Sequence, residues 1–219
     1  MNITIKGIYL VTEEYGGKSH LEMAEAALKA GVRIIQYREK RGTSRKMLEE
    51  ARAIRQLTRN YGALFIVNDR VDIALFSQAD GVHLGQEDIP PEIPKKYFGD
   101  RLIVGVSVTG VEEALKAEAA GADYVAVSPV FDTFTKEDAG RALGLNVLKE
   151  IVQTVRVPVV AIGGINKENL KMVVDAGASA AAVVSAITRS ENPYLAACEL
   201  VQLYNQLRKE DKNGFDFRA

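Results

Sequence analysis

Two carboxylates in this chain sit just past the ends of consecutive apolar runs. Asp69 follows the run at 64–67 and Asp88 follows the run at 81–84. If those runs are neighbouring parallel strands, Asp69 and Asp88 converge on one rim, an arrangement that suits a divalent cation. Few protein oxygens, with phosphate oxygens and water completing an octahedron, is the magnesium pattern. Asp69 has a competing reading, because Asp is a favoured N-cap and a helical pattern starts at Val71. Asp72 and Asp80 fall on that helix and before the second run, away from the rim, and are expected to be solvated.

An earlier run ends Ile34-Ile35-Gln36-Tyr37-Arg38-Glu39-Lys40. With period two, Gln36, Arg38 and Lys40 share one face and Tyr37 and Glu39 the other. Two cations confined in a barrel mouth call for an anionic ligand, since unpaired buried charge is costly. Asn68 adds an amide beside Asp69, and Ser107 a hydroxyl near the end of the run 103–108. The connection 128–145 is long for a strand-to-helix loop, and such loops are usually functional. Its Thr133, Thr135 and Lys136 can meet phosphate, while Gly140 and Gly144 allow a lid to move. Gly163-Gly164 and the turn at Val184-Ser185 supply backbone N–H groups of the kind that hold phosphate in barrels. His20 and His83 have no nucleophile or metal partner nearby in sequence, and a core or capping role is expected for both. No G-x-S-x-G, H-E-x-x-H, Walker A or C-x-x-C pattern occurs.

The elements that must position these groups alternate regularly. Strands are expected at 8–12, 33–38, 64–68, 81–84, 103–108, 124–128, 158–162 and 181–184. Helices are expected at 19–30, 44–61, 71–77, 110–120, 145–154, 167–176 and 193–209. Pro90, Pro91 and Pro94 keep any helix at 89–99 short. Three helices exit through Ala-Gly pairs at Gly31, Gly121 and Gly177, the glycine taking the left-handed position past the last turn. Such alternation means parallel βαβ units, and eight of them favour one closed (β/α)8 barrel over a doubly wound sheet. The barrel is expected to span residues 1–209, with 210–219 a polar, frayed or externally packed tail.

The totals bound the function class. With 219 residues and a net charge of −1, the chain suits one domain with no global attraction for nucleic acid or anionic membrane. A single cysteine, Cys198, excludes a disulfide within the chain and a thiolate metal cluster, and it is expected as a packed small hydrophobe. No signal peptide or membrane-spanning run is read, so the cytoplasm is expected. A homo-oligomer stays open.

Taken together, the segments QYREK (36–40), NDR (68–70), GVHLGQED (81–88), GVS (105–107), PVFDTFTK (129–136), AIGGI (161–165) and VSAI (184–187) resemble the thiamine-phosphate synthase family. They span nearly the whole chain in order. The resemblance implies a Mg²⁺-dependent (β/α)8 barrel that joins a hydroxymethylpyrimidine diphosphate to a thiazole phosphate and releases pyrophosphate. It implies a pyrimidine diphosphate site at Gln36, Tyr37, Arg38, Glu39, Lys40, Asn68, Ser107 and Lys136. It places the thiazole phosphate at Thr133, Phe134, Thr135, Gly164, Val184 and Ser185, and the metal at Asp69 and Asp88. Ser128, Thr109 and Asp132 depart from residues common in the family, but none is a diphosphate or metal contact. Two rivals remain: a metal-independent thiazole tautomerase-like enzyme, and a non-catalytic sensor of a phosphate ligand. Both fail to use the carboxylate pair.

Overall fold

The computed structural model of the protein describes residues 4–133 and 141–214, with side chains through residue 210. Eight parallel strands close into a barrel in sequential order: β1 (Gly7–Val11), β2 (Ile34–Tyr37), β3 (Leu64–Asn68), β4 (Gly81–Leu84), β5 (Ile103–Val108), β6 (Tyr124–Val127), β7 (Val159–Ile162) and β8 (Ala180–Val183). Helices α1 (His20–Lys29), α2 (Ser44–Asn60), α3 (Val71–Ser77), α4 (Glu92–Phe98), α5 (Val111–Ala119), α6 (Gly144–Thr154) and α7 (Leu170–Asp175) follow the successive strands. Two more, α8 (Ser185–Thr188) and α9 (Pro193–Gly214), follow β8. Among the described residues no helix is long and apolar enough to cross a membrane.

Period two divides every strand between two cores. Tyr9, Val11, Ile34, Ile66, Ile103, Tyr124, Ala126, Val160, Ala180 and Ala182 fill the barrel interior. Ile8, Leu10, Ile35, Tyr37, Phe65, Val67, Val82 and Val104 face outward and pack under the helices. This alternation settles strand β2, whose register pairs Ile34 with Leu64 and Gln36 with Ile66. Gln36 shares the inward side with Ile34, and Tyr37 lies outside with Ile35.

Local chemistry sets the helix boundaries. Ser19 caps α1 in a capping box with Glu22, and Thr43 accepts from Lys46 N at the start of α2. Pro94 is tolerated in α4 because the first four N–H groups of a helix have no internal partner. Gly31, Gly121 and Gly177 all adopt positive φ past their helices. Helix α7 begins later than the periodicity predicts. Asn166 Oδ1 accepts from Glu168 N and Asn169 N, and Asn169 Nδ2 donates to Gly164 O at 2.9 Å, so a side-chain turn takes the place of the first helical turn. Helix α9 continues past Lys209 to Gly214, so five residues expected in the tail are helical. Residues 215–219 lie outside the described residues.

Asp80 corrects a sequence expectation. It is not solvated: its carboxylate takes two hydrogen bonds from Arg55, at 2.7 and 2.8 Å, and one from Phe65 N at 2.8 Å. Asp72 is held in a pair with Arg70, whose Nε and second terminal nitrogen both donate to it. Cys198 is half-buried on α9.

Candidate active site

The principal pocket opens at the C-terminal ends of the strands, where barrels of this type carry their sites. Small side chains make the room: Ala126 on β6 and Ala182 on β8 line it from inside the barrel. Gln36, Arg38, Asn68, Ser107, Thr133, Gly164, Val184 and Ser185 all line this one pocket. Eight residues expected from six separated segments are therefore brought together.

Three members of the QYREK segment, Tyr37, Glu39 and Lys40, stand outside the pocket lining. The Tyr37 side chain is fully buried outside the barrel wall and donates to Glu50 Oε2 on α2 at 2.5 Å. Burial, together with that carboxylate, pushes its phenol well above the usual range. Its side chain is a wall contact, as the alternation within β2 requires. Glu39 turns back instead, accepting from Arg41 N and Gly42 N and facing His20 Nε2 at 3.6 Å. Burial would raise its pKa, but those two N–H groups and His20 together outweigh burial and hold it low. Glu39 thereby fixes the turn that carries Lys40. Phe134, Thr135 and Lys136 lie outside the described residues.

Arg38 is a half-buried cation lining the pocket, and its charge helps to lower the pKa of Glu13. Lys40 Nζ meets Asp69 Oδ2 at 2.5 Å. Asp69 does not cap α3: the N-cap position is Arg70, with no side-chain cap bond. Asp69 instead adopts φ 60°, a left-handed conformation that Asp tolerates better than most residues. Its N–H donates to His83 O at 2.8 Å, tying the end of β3 to β4.

Asp88 returns to the same place. Its Oδ2 accepts from Gly85 N at 2.7 Å. Burial raises its pKa; the Gly85 N–H opposes that, and the facing Asp69 carboxyl group adds to the rise. The charge of Asp69 is therefore felt by Asp88, with Lys40 as the nearby positive charge. Neither aspartate lines that pocket, and Asp88 lines a separate groove with Gln86 and Pro90. Two carboxylates are hard oxygen donors, but no cluster of three His, Cys, Asp or Glu groups occurs among the described residues, so a cation held here would need water or ligand oxygens for the rest of its shell.

On the other side of the mouth, the base of the long loop is fastened to the β7 turn. Val130 N donates to Ile162 O and Phe131 N to Gly163 O. A Cβ on Gly164 would lie 2.5 Å from Asp132 O, so only glycine permits this approach. Beyond β8, Glu13 accepts from Thr188 and Arg189, joining the β1 loop to α8. Burial would raise the pKa of Glu13, but the Arg189 and Thr188 hydrogen bonds, with the charges of Arg189 and Arg38, together outweigh it and lower it.

Three interior residues escaped the sequence reading as site residues. Tyr9 and His83 line the pocket, and Tyr124 is buried behind them. His83 is a core residue, as expected, yet both ring nitrogens are engaged: Nδ1 with Tyr124 Oη at 3.0 Å and Nε2 with Ser107 Oγ at 2.9 Å. The available signal was parity, since Tyr9 and Tyr124 are large polar-tipped residues at inward strand positions.

Closed barrel, mouth pocket and charged rim define a (β/α)8-barrel enzyme with its site at the C-terminal face. The comparisons narrow that class. Residues 8–187 match the family described as thiamine monophosphate synthase. A thiamine-phosphate synthase of Archaeoglobus fulgidus is 49% identical over 92% of this chain and 94% of its own length. One from Chloroflexus aurantiacus is 47% identical over 88% and 90%. The solved structure of a thiamine phosphate pyrophosphorylase from Pyrococcus furiosus is 44% identical, superposes with a TM-score of 0.86, and covers 92% of this chain and 96% of that one. The chain belongs to the thiamine monophosphate synthase family.

Proposed function

We propose that the protein is a thiamine-phosphate synthase. It joins 4-amino-2-methyl-5-(diphosphooxymethyl)pyrimidine to a 4-methyl-5-(2-phosphoethyl)thiazole, or its carboxylated form, and releases pyrophosphate. The observation that carries this reading is the mouth itself: the half-buried cation Arg38 lies in one pocket with Gln36, Asn68 and Ser107, and Lys40, Asp69 and Asp88 form a charged cluster on the same rim. We place the reaction in the cytoplasm.

Asp69 and Asp88 would hold Mg²⁺, which when bound supplies positive charge to the leaving diphosphate. Arg38 and Lys40, with Lys136 from the loop, bind the same diphosphate and stabilise the charge that grows on it as the carbon–oxygen bond breaks. The electron-rich aminopyrimidine tolerates the resulting cation at its methylene. Thr133, Gly164, Val184 and Ser185, with Phe134 and Thr135 from the loop, hold the thiazole phosphate so that the ring nitrogen reaches that carbon. Positioning and electrostatics are sufficient for the substitution, and no protein nucleophile is required.

The test is to incubate the purified protein with both substrates, with and without Mg²⁺, and to measure pyrophosphate and thiamine phosphate. Equal amounts of both products, only with the metal, are expected. Metal-independent isomerisation of the thiazole phosphate without diphosphate consumption would overturn the reading.

A further inference from the structure

Among the described residues, a continuous chain of hydrogen bonds crosses the barrel interior beneath the pocket. Gln36 Nε2 on β2 donates to Tyr9 Oη on β1 at 2.7 Å. Tyr9 Oη meets Tyr124 Oη on β6 at 3.0 Å. Tyr124 Oη meets His83 Nδ1 on β4 at 3.0 Å, and His83 Nε2 meets Ser107 Oγ on β5 at 2.9 Å. Both ends of the chain, Gln36 and Ser107, line the pocket. Its midpoint, Tyr124, is fully buried and is not among the pocket-lining residues.

The donors and acceptors of such a chain must run in one direction. Gln36 donates to the Tyr9 oxygen, so the Tyr9 proton goes to Tyr124. The Tyr124 proton then goes to His83 Nδ1. Burial pushes the Tyr9 phenol up to about 12 and raises that of Tyr124 as well, so each keeps the proton it must give. With Nδ1 accepting, neutral His83 carries its proton on Nε2 and donates to Ser107 Oγ. The hydroxyl proton of Ser107 is then directed to the pocket. At the other end, Gln36 Oε1 has no partner among the described residues and remains an acceptor. The pocket floor therefore offers one acceptor and one donor, and a reversed chain would exchange both polarities together.

We propose that this relay sets the hydrogen-bond polarity of the pocket floor, and that Tyr124 is a positioning residue whose hydroxyl holds His83 in the Nε2–H tautomer. The matching ligand edge pairs an amino donor with a ring-nitrogen acceptor. Its oxo counterpart presents a carbonyl acceptor and a ring N–H donor, and meets the wrong polarity at both ends. Leaving buried polar groups mispaired is the strongest source of such discrimination. The fold reserves space for this link: a Cβ on Gly105, paired with Tyr124 in the β5–β6 register, would lie 2.0 Å from Tyr124 Cζ. The ring of Tyr124 also stacks on His83, with centroids 5.6 Å apart. The preference for the amino edge as substrate rests on the synthase reading above; the tautomer does not.

The sequence holds only two histidines, so ¹⁵N imidazole spectra report His83 directly once His83→Gln identifies its signals. The Nε2–H tautomer is expected in the wild type, and an Nδ1–H tautomer would overturn the proposal. Tyr124→Phe keeps the stacked ring and removes only the hydroxyl. Expected are loss of the single tautomer and a roughly tenfold fall in kcat/KM for the aminopyrimidine diphosphate, about the worth of one hydrogen bond. Discrimination against the 4-oxo analogue falls with it, while KM for the thiazole phosphate stays constant. Unchanged discrimination with an unchanged tautomer in this variant would overturn the proposal. If Tyr124→Phe does not fold, the wild-type spectrum decides. If the wild type makes no thiamine phosphate, the synthase reading falls, and the role of Tyr124 still stands or falls with the tautomer.

Discussion

Asp80 and Asp69 stand at opposite ends of adjacent strands, and their surroundings differ in kind. Asp80, ahead of β4, receives two bonds from Arg55 and one from Phe65 N. Asp123, ahead of β6, repeats the device: Lys95 Nζ donates to both of its oxygens, at 3.1 and 3.0 Å, and Val104 N donates at 2.7 Å. Each of these carboxylates joins the preceding strand to a helix and is neutralised by its own cation. At the mouth, Asp69 and Asp88 face one another with Lys40 as their nearby cation. The difference separates charge used to close the barrel from charge left to meet a ligand. Satisfied carboxylates read as structure, and crowded ones as function.

Removing one member of each set should give opposite results. Asp69→Ala is expected to lower turnover at ordinary magnesium by on the order of 10³-fold, the scale of losing transition-state charge stabilisation. The unfolding midpoint should change little, because relief of the like-charge contact is set against the lost Lys40 pair and the cost of Ala at a left-handed φ. Pyrophosphate release and a thermal melt measure both, and near-full activity would sink the assignment of the mouth. Asp80→Ala should do the reverse. It leaves the half-buried Arg55 unpaired, at a cost of roughly 3 kcal/mol in urea unfolding, with kcat retained below the transition.

The mouth pair also has a pH signature. Burial and the facing Asp69 raise the pKa of Asp88. A raised carboxyl pKa in the folded state means that its contribution to stability is present at low pH and is lost as pH rises through the folded value. A cation restores what the proton supplied. Stabilisation by Mg²⁺ should therefore be absent in the acidic range below the raised Asp88 value and appear as pH rises through it. Thermal melts with and without Mg²⁺ across that range test this. Asp88→Asn should remove the metal-dependent shift, and a shift that persists in this variant would exclude Asp88 as a ligand. The smallest effect belongs to the second clamp: Lys95→Met should cost about 1 kcal/mol, because Asp123 keeps its bond from Val104 N. A loss as large as that of Asp80→Ala would show the two clamps to be equivalent.

Much of this architecture could be read from residue order. The eight strands, the left-handed glycines after α1, α5 and α7, and the convergence of Gln36, Arg38, Asn68, Ser107, Gly164 and Ser185 all follow from local periodicity and strand order. Asp80 was misread because its partners, Arg55 and Phe65, lie on α2 and β3, and nothing in the local pattern marks a carboxylate that reaches back across a turn. Tyr37 and Glu39 carry the same motif as Gln36 and Arg38. Parity separates Tyr37 from the pocket, and a backbone turn withdraws Glu39. The late start of α7 came from two asparagines whose side chains compete with helical hydrogen bonds.

Alternating apolar strands and glycine-terminated helices leave the chain little choice but a parallel barrel, and they place Asp69 and Asp88 at its mouth. Those are short-range consequences of side-chain period and backbone sterics. Whether the two carboxylates face one another was another matter, and so was the path from Gln36 through Tyr9, Tyr124 and His83 to Ser107. Tyr9 and Tyr124 are separated by 115 residues. Contacts of that span are set by closure of the barrel and by the few interior positions that a strand can offer, and only the folded chain brings them within reach.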